Sequence, residues 1–189
     1  MNTIAFKYHP LTSHRWDDFV TLFGEKGATG GCWCMWWRIP NAEFEAQKGD
    51  GNKNAMLNVV ERDEVPGILA YDGDSPVGWC AVAPREQYTR IDRSRVLKPI
   101  DDKEVWSISC FFIHKKYRRK GLSSGLINAS VEFATGKGAK IVEAYPVDTQ
   151  KDSYPSVFAH TGFFNAFVNS GFKEVKRRSA TRPIMRFSV

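Results

Sequence analysis

The sequence has no apolar run long enough to cross a membrane. Its first eleven residues lack the apolar segment of a signal peptide, because Lys7, His9 and Pro10 interrupt them. It contains no internal repeats and no low-complexity tracts, and its four cysteines are typical of reduced thiols. We therefore expect a soluble, cytoplasmic protein. With 189 residues and 42% apolar composition, the chain can bury a full core, and we expect one domain over residues 1–189.

Metal ligands are also scarce. Cys32 and Cys34 are separated by a single residue, which is too close for the usual C-x-x-C redox or zinc pair. No second Cys/His pair stands at zinc spacing, so we predict a protein without a metal ion. His114 and His160 are more simply interpreted as solvated side chains than as catalytic groups.

The most informative pattern lies between residues 108 and 126. Residues 108–113 are apolar, β-branched and aromatic, which predicts a buried strand, and a basic loop with Gly121 follows. Apolar residues then recur at helical spacing, at Leu122, Leu126, Ala129 and Phe133. A helix that begins directly after such a loop presents unpaired backbone N–H groups and the positive end of its dipole, so this segment can hold a diphosphate.

The net charge of +6 is concentrated in two clusters, over residues 115–120 and 173–186. Two basic clusters are one feature of nucleic-acid-binding domains, and this function remains an alternative. The first cluster, however, lies where the predicted helix would meet the phosphates of a small polyanion. One local polyanion explains the cluster with fewer assumptions, so we predict no nucleic-acid partner.

The residues Arg118-x-x-Gly121-x-Ser123 after a hydrophobic strand resemble the acyl-CoA signature of the GNAT superfamily of N-acetyltransferases, Q/R-x-x-G-x-G/A. Ser123 replaces the usual Gly or Ala by another small residue. The stretch 162–175, in which a predicted helix ends at Gly171, is also similar to the family. The resemblance covers about residues 3–189. It implies an α/β (α+β) fold of three layers, with a mixed, mostly antiparallel sheet flanked by helices.

The resemblance also implies a co-substrate, acetyl-CoA. In the family, the fourth strand parts from the fifth, and its free backbone groups pair with the pantetheine amides; by position these residues are Phe111 and Ile113. The diphosphate would lie on the loop before the helix. The implied cofactor-binding residues are Phe111, Phe112, Ile113, Arg118, Arg119, Lys120, Gly121, Leu122, Ser123 and Ser124.

The remaining chain supplies the other elements in order. Strands are predicted over residues 3–8, 67–71, 77–82, 108–113, 139–146, 172–175 and 183–189. Helices are predicted over residues 16–23, 55–63, 122–136 and 158–169, and residues 84–102 are predicted to form a long surface loop. Strand, helix and strand over residues 108–146 predict a parallel crossover.

Three tryptophans follow a glycine-rich stretch, at positions 33, 36 and 37. Aromatic residues on such a loop can line a ligand slot or cap the core, and the sequence leaves both interpretations open. In the family, this part of the chain holds the acceptor. The resemblance therefore implies that Trp33, Trp36 and Trp37 bind the substrate, a small-molecule or peptide amine.

An acceptor amine similar to lysine has a pKa of about 10.4, so a proton must leave before it can attack a thioester. Carboxylates usually accept this proton in the family, and Glu104 and Glu143 are placed for it. Glu143 is the better candidate, because an acid inside an otherwise apolar strand needs a reason. The alternative is that Glu143 pairs with a nearby Arg or Lys.

Many members of the family place a tyrosine four residues before the glycine that ends this helix, where it protonates the departing CoA thiolate. That position is Phe167 here, and phenylalanine cannot donate a proton. We predict Tyr145 or Tyr154 as the replacement acid. Alternatively, the thiolate leaves unaided, because a simple thiol has a pKa of only about 8.5.

Together, the sequence and the resemblance predict an acyl-CoA-dependent N-acetyltransferase that transfers an acetyl group to a primary amine by direct attack. The alternative on the same fold is a non-catalytic acyl-CoA-binding or regulatory module. We expect no membrane partner, and a homodimer is left open.

Overall fold

A computed structural model describes residues 5–149 and 159–189 of the protein. In this part of the chain, seven strands form one sheet: β1 (Lys7–Pro10), β2 (Gly67–Asp72), β3 (Ser75–Pro84), β4 (Trp106–Ile113), β5 (Ile141–Ala144), β6 (Lys173–Arg177) and β7 (Pro183–Ser188). The helices are α1 (Trp16–Phe23), α2 (Asn41–Ala46), α3 (Asp50–Glu61), α4 (Thr89–Asp92), α5 (Leu122–Gly136) and α6 (Phe164–Asn169).

The sheet has the spatial order β1-β2-β3-β4-β5-β7-β6. Only β4 and β5 run parallel, because α5 connects them, and the other neighbouring pairs are antiparallel. The predicted mixed, mostly antiparallel sheet is therefore confirmed.

Side chains alternate between the two faces of the sheet along each strand, so both faces carry apolar residues. Helices cover both faces. On one face, Leu126 of α5 and Phe167 of α6 are fully buried in a core that includes Ile108. On the other face, Phe19 of α1 packs edge-on against the Trp79 ring with centroids 4.9 Å apart. The tryptophan-rich segment lies on this second face, so the fold has three layers as expected.

The pairing of β4 with β5 stops early. It extends only from Trp106 opposite Val142 to Ile108 opposite Ala144, while β4 continues to Ile113 alongside β3. Ser109 is an extra residue in β4, since the register with β3 shifts at this point. Beyond the bulge, the edge of β4 that faces β5 is therefore open, in the sense that no described strand pairs with it.

Some boundaries differ from those predicted. Helices α2 and α4 lie in polar stretches that were not predicted as helical, and α3 begins at Asp50 rather than at residue 55. These stretches lack the apolar stripe on which the prediction depends. The helix predicted over residues 158–169 begins only at Phe164, because Gly162 has a φ of +82° and Phe163 bridges to Val147.

β5 ends at Ala144, earlier than predicted. β1 begins at Lys7, because residues 5 and 6 are not in a strand, and positions 3 and 4 of the predicted strand lie outside the described ranges. Over residues 5–149 and 159–189, no helix is long and apolar enough to cross a membrane. In the same ranges, no group of three or more His, Cys, Asp or Glu side chains is arranged to hold a metal ion.

Candidate active site

The basic loop connects the end of β4 to the start of α5. Residues 115–117 form a single turn, and Arg118 donates from Nε to the Ile113 carbonyl at 3.2 Å. Arg119 and Gly121 then adopt left-handed conformations, with φ values of 60° and 77°. A Cβ atom at Gly121 would meet nothing within 4 Å, so the backbone at the helix start is freely accessible.

The structure brings most of the predicted cofactor-binding residues to this one helix terminus. Arg118, Arg119, Lys120 and Gly121 are exposed, and Ser123 and Ser124 are partly exposed in the first turn of α5. The side chain of Leu122 is buried in the core, so this residue can offer a ligand only its backbone. Their contact with coenzyme A stays a prediction.

The predicted strand residues Phe111 and Ile113 lie where β4 has parted from β5. The Phe111 N–H already has a partner within the chain, because it donates to the His160 carbonyl at 2.5 Å. The Phe112 ring lies on the opposite face, 5.3 Å from the Phe23 ring. A ligand that pairs with the Phe111 N–H must therefore take the place of the His160 carbonyl.

Phe167, which stands where the family usually has a tyrosine, lies beside the same opening. Its ring is fully buried and packs edge-on against Phe111, with centroids 6.0 Å apart. The position thus faces β4 but offers no proton, so the predicted need for another acid or an unaided thiolate stands.

Glu143 is the centre of a buried ionic network on the face that carries the tryptophan segment. Its side chain has 0% exposure, and its carboxylate accepts hydrogen bonds from Arg85 Nη1 and from Arg186 Nε, the latter at 2.7 Å. Each arginine has a further carboxylate partner, Asp92 for Arg85 and Asp101 for Arg186. The structure therefore agrees with the alternative given above, in which Glu143 pairs with arginine.

Tyr145 belongs to the same network. Its hydroxyl donates to Glu143 Oε1 at 2.8 Å, lies 2.8 Å from the Ser107 hydroxyl and accepts from Arg85 Nη1 at 3.1 Å. Burial and the charge of Glu143 raise the Tyr145 pKa well above its ordinary value. The other predicted acid, Tyr154, lies outside the described residues, and Glu104 is exposed just before β4.

The tryptophan segment is anchored by glycines and by a buried amide. The Gly31 carbonyl accepts from Gly49 N at 3.1 Å and from Asn52 Nδ2 at 2.9 Å. A Cβ atom at Gly31 would lie 2.4 Å from the Gly49 nitrogen, so only glycine allows this approach. Trp33 and Cys34 also have positive φ, at 45° and 62°, which is uncommon for such residues.

The three tryptophans occupy different environments. Trp33 is 3% exposed and stacks on Phe23, with ring centroids 5.8 Å apart, so its packing is that of a core residue. Trp36 and Trp37 are half-buried, and the Trp37 ring lies 6.0 Å from the His160 ring. Trp37 is thus next to the residue that covers Phe111.

A thiol contacts the sheet from this segment, and an arginine contacts the residue before α4. Trp79 Nε1 of β3 donates to Cys34 Sγ at 3.1 Å, and Arg38 lies over the Tyr88 ring, 4.9 Å from its centroid. Neither Arg38 nor Arg85 carried a signal in the sequence, because their partners are distant along the chain. Only their burial in the folded protein reveals them.

Together, the open edge of β4, the basic loop and the accessible start of α5 define a class of protein, the coenzyme A-dependent acyltransferases. The model of the acetyltransferase (GNAT) family matches residues 33–163. This match covers more than half of the chain, so the chain belongs to that family and is an N-acetyltransferase. The resemblance carried by residues 118–123 is confirmed. No curated protein sequence matches the chain.

Solved structures share this fold at low sequence identity. PaiA N-acetyltransferase from Thermoplasma acidophilum, in complex with coenzyme A, is 14% identical, with a TM-score of 0.56 over 98% of this chain and 99% of that one. A GNAT acetyltransferase from Streptococcus agalactiae is 13% identical, with a TM-score of 0.57 over 100% of this chain and 98% of that one. Aminoglycoside N-acetyltransferase AAC(6')-Iy, in complex with CoA, is 15% identical, with a TM-score of 0.56 over 93% and 92%.

Proposed function

We propose that this protein transfers the acetyl group of acetyl-CoA to a primary amine by direct attack of the amine on the thioester. The observation that carries this proposal is the open edge of β4 immediately before an accessible helix start. That arrangement offers backbone groups to an extended pantetheine and N–H groups to a diphosphate along one continuous path. Three neighbours with this fold are in complex with coenzyme A, which supports coenzyme A binding here.

The acceptor would approach from the face that carries the tryptophan segment. Trp37 lies beside His160, and the His160 carbonyl covers the Phe111 N–H, so Trp37 stands next to the point where the thioester would lie. One structural neighbour is named an aminoglycoside acetyltransferase and another a putative arylalkylamine acetyltransferase. Both names describe amine acceptors, in agreement with the proposed chemistry.

Glu143 and Tyr145 remain predictions as groups that handle protons. The Glu143 carboxylate is enclosed by two arginines and has no exposed oxygen to which an acceptor amine could donate. A role for Glu143 in proton transfer would therefore run through the Tyr145 hydroxyl, which is hydrogen-bonded to it. Without an acid at Tyr145 or Tyr154, the CoA thiolate leaves unaided.

The proposal is tested by mixing the protein with acetyl-CoA and a panel of amines and measuring the release of CoA thiol. The panel includes polyamines, aminoglycosides, amino acids and peptides with free N-termini. We expect release with at least one class of amine. Micromolar binding of acetyl-CoA without release on any amine would support the non-catalytic module instead. Strongly salt-dependent binding of DNA or RNA without CoA binding would support the nucleic-acid alternative.

Trp36→Ala and Trp37→Ala should raise the acceptor KM or lower kcat more than they change the affinity for acetyl-CoA, because both rings are half-buried at the proposed acceptor site. Steady-state kinetics and titration with acetyl-CoA measure the two effects separately. Trp33→Ala is the matched control, since it removes a ring of the same kind from the core and should mainly lower stability. Unchanged kinetics in both test variants would show that these rings only cap the core.

Tyr145→Phe should lower kcat at least about tenfold, with little change in acetyl-CoA affinity, if this hydroxyl protonates the thiolate. The variant removes one hydrogen bond to Glu143, which retains Arg85 and Arg186, so the protein should remain folded. Ser107→Ala, which removes the other hydroxyl of this contact, is the control for a purely structural loss. Full kcat across the pH range in both Tyr145→Phe and Tyr154→Phe would favour the unaided thiolate.

A further inference from the structure

Arg38 is a buried cation that has no anionic partner among residues 5–149 and 159–189. The residue is 8% exposed, and its Nη1 donates to the Gln87 side-chain oxygen at 2.9 Å. Its Nε and Nη2 atoms are buried and have no hydrogen-bond acceptor among the residues that the structure describes. In those same ranges, no carboxylate lies within ion-pairing distance of this guanidinium.

Two other enclosed arginines show how this protein otherwise treats a buried guanidinium. The side chains of Arg85 and Arg186 are 10% and 9% exposed, and both are paired with Glu143 as well as with a second carboxylate. A buried charge without a counter-charge is strongly unfavourable. Since no described residue supplies a counter-charge to Arg38, a bound anion is the counter-ion that this site would accept.

The unoccupied atoms of Arg38 define the shape of that counter-ion. Nε and Nη2 lie on one edge of the guanidinium and point their hydrogens in parallel, which matches the two oxygens of a carboxylate. Arg177 uses the same two atoms to hold Glu174, at 2.8 and 2.6 Å. The other buried atoms without partners on residues 37 and 90, Trp37 Nε1 and Arg90 Nη1, are also donors.

Arg38 lies close to the point where β4 opens. Its guanidinium covers the Tyr88 ring, and the Tyr88 hydroxyl lies beside the hydroxyl of Ser109, the bulge residue of β4. The charge of Arg38 also helps to lower the pKa of Cys34, an effect to which a hydrogen bond with Cys110 contributes more. Arg38 is thus near residues 109 and 110, directly before the proposed thioester position at Phe111.

We propose that Arg38 binds the carboxylate of the acceptor, so that the substrate is an amine that also carries a carboxylate group, as free amino acids do. This inference rests on the proposed function and names the substrate class of that site. A single unpaired positive charge is neutralised by a carboxylate monoanion. A phosphate dianion would leave an excess of negative charge in a buried site.

The test compares amines that differ only in the carboxylate. Each of a set of amino acids is assayed for CoA release beside its C-terminal amide and its decarboxylated amine. We expect kcat/KM for the preferred acid to exceed that of its amide by about 10–100-fold, the value of a charge-assisted, two-point contact. The amine of the amide is less basic, so a larger fraction of it is unprotonated at neutral pH. Amine reactivity therefore favours the amide and cannot produce a preference for the acid.

Variants of Arg38 test whether this residue causes the preference for the acid. Arg38→Gln should remove it, and Arg38→Lys should restore only part of it, because an ammonium keeps the charge but lacks the paired edge. Arg62→Gln, which removes an exposed arginine at the end of α3, is the control and should keep the full preference. Unchanged acetyl-CoA affinity in Arg38→Gln shows that this variant is folded.

The outcomes separate the two proposals. Acetylation of acids and amides at equal rates, or a preference that persists in Arg38→Gln, would overturn the carboxylate site while leaving the acetyltransferase intact. A binding measurement covers the case without turnover: with CoA present, at least one amino acid of the set should raise the Tm of the wild type but not that of Arg38→Gln. Such binding without CoA release would overturn the proposed function and support the site. If the assays show no binding and no preference, the site is overturned.

Discussion

Glu143→Gln should lower the free energy of unfolding by about 3 kcal/mol, because it removes the shared counter-charge of two enclosed arginines. Breaking a buried ion pair on one side typically costs about 3–5 kcal/mol. We expect the lower end, since Asp92 and Asp101 still pair with Arg85 and Arg186. Urea unfolding at neutral pH measures the change, and the slope of the transition should stay constant if only stability is altered.

The chain provides a matched control for this change. Glu174 also pairs with an arginine, Arg177, but in an exposed position on β6. Glu174→Gln removes the same charge from the same type of contact and should cost less than about 1 kcal/mol, as exposed pairs do. Equal losses in the two variants would show that the enclosure of Glu143 does not matter.

The same variant separates a structural role of Glu143 from a catalytic one. Below the melting range of both proteins, a purely structural Glu143 leaves kcat and its pH dependence unchanged in Glu143→Gln. A Glu143 that accepts protons through Tyr145 should make Glu143→Gln and Tyr145→Phe similarly slow, and the double variant should be no slower than either. Independent, multiplying losses would contradict that coupled role.

The strand, loop and helix that form the proposed cofactor path could be predicted from the sequence because their determinants are local. The strand, the basic loop and the first turn of α5 are consecutive in the chain, and each has its own pattern of apolar residues, charge or glycine. The register of β4, in contrast, could not be predicted from local patterns. The bulge at Ser109 and the early end of the β4–β5 pairing depend on how three strands twist together, and no single stretch records this.

The surroundings of Glu143 could not be predicted for the same reason. Its partners Arg85 and Arg186 lie 58 and 43 residues away along the chain, in a segment predicted as a loop and in the last strand. The prediction rested on the rarity of an acid inside an apolar strand. That rarity is equally well explained by an ionic network, which only the fold brings together.

In the tryptophan segment, residue type alone did not predict which side chains are buried. The sequence offered a ligand slot or a core cap for all three rings without distinguishing among them. The structure divides them: Trp33 is enclosed by the aromatic core, whereas Trp36 and Trp37 remain half-exposed. Arg38, the next residue, lies in the segment expected to hold the acceptor but has no signal of its own in the sequence, because an arginine becomes unusual only when it is buried without a carboxylate.

Gly121→Glu should weaken coenzyme A binding by at least about 100-fold, which is about 2.8 kcal/mol. The glutamate would place a negative charge at the start of α5, where the backbone N–H groups and the helix dipole favour an anion such as the diphosphate. Its Cβ atom would meet nothing within 4 Å, so the fold should tolerate the change apart from the strain of a φ of +77°. Titration calorimetry with coenzyme A measures the loss.

Two matched variants isolate the cause. Gly121→Ala introduces the same backbone strain, about 1 kcal/mol, without the charge, and should retain most of the affinity. Gly138→Glu places the same charge at a glycine with a φ of +90° and no neighbour within 4 Å, but just beyond the opposite end of α5. It should bind coenzyme A as the wild type does. Equal weakening by the two glutamates would attribute the loss to net charge, and unchanged affinity in Gly121→Glu would remove the diphosphate from the start of α5.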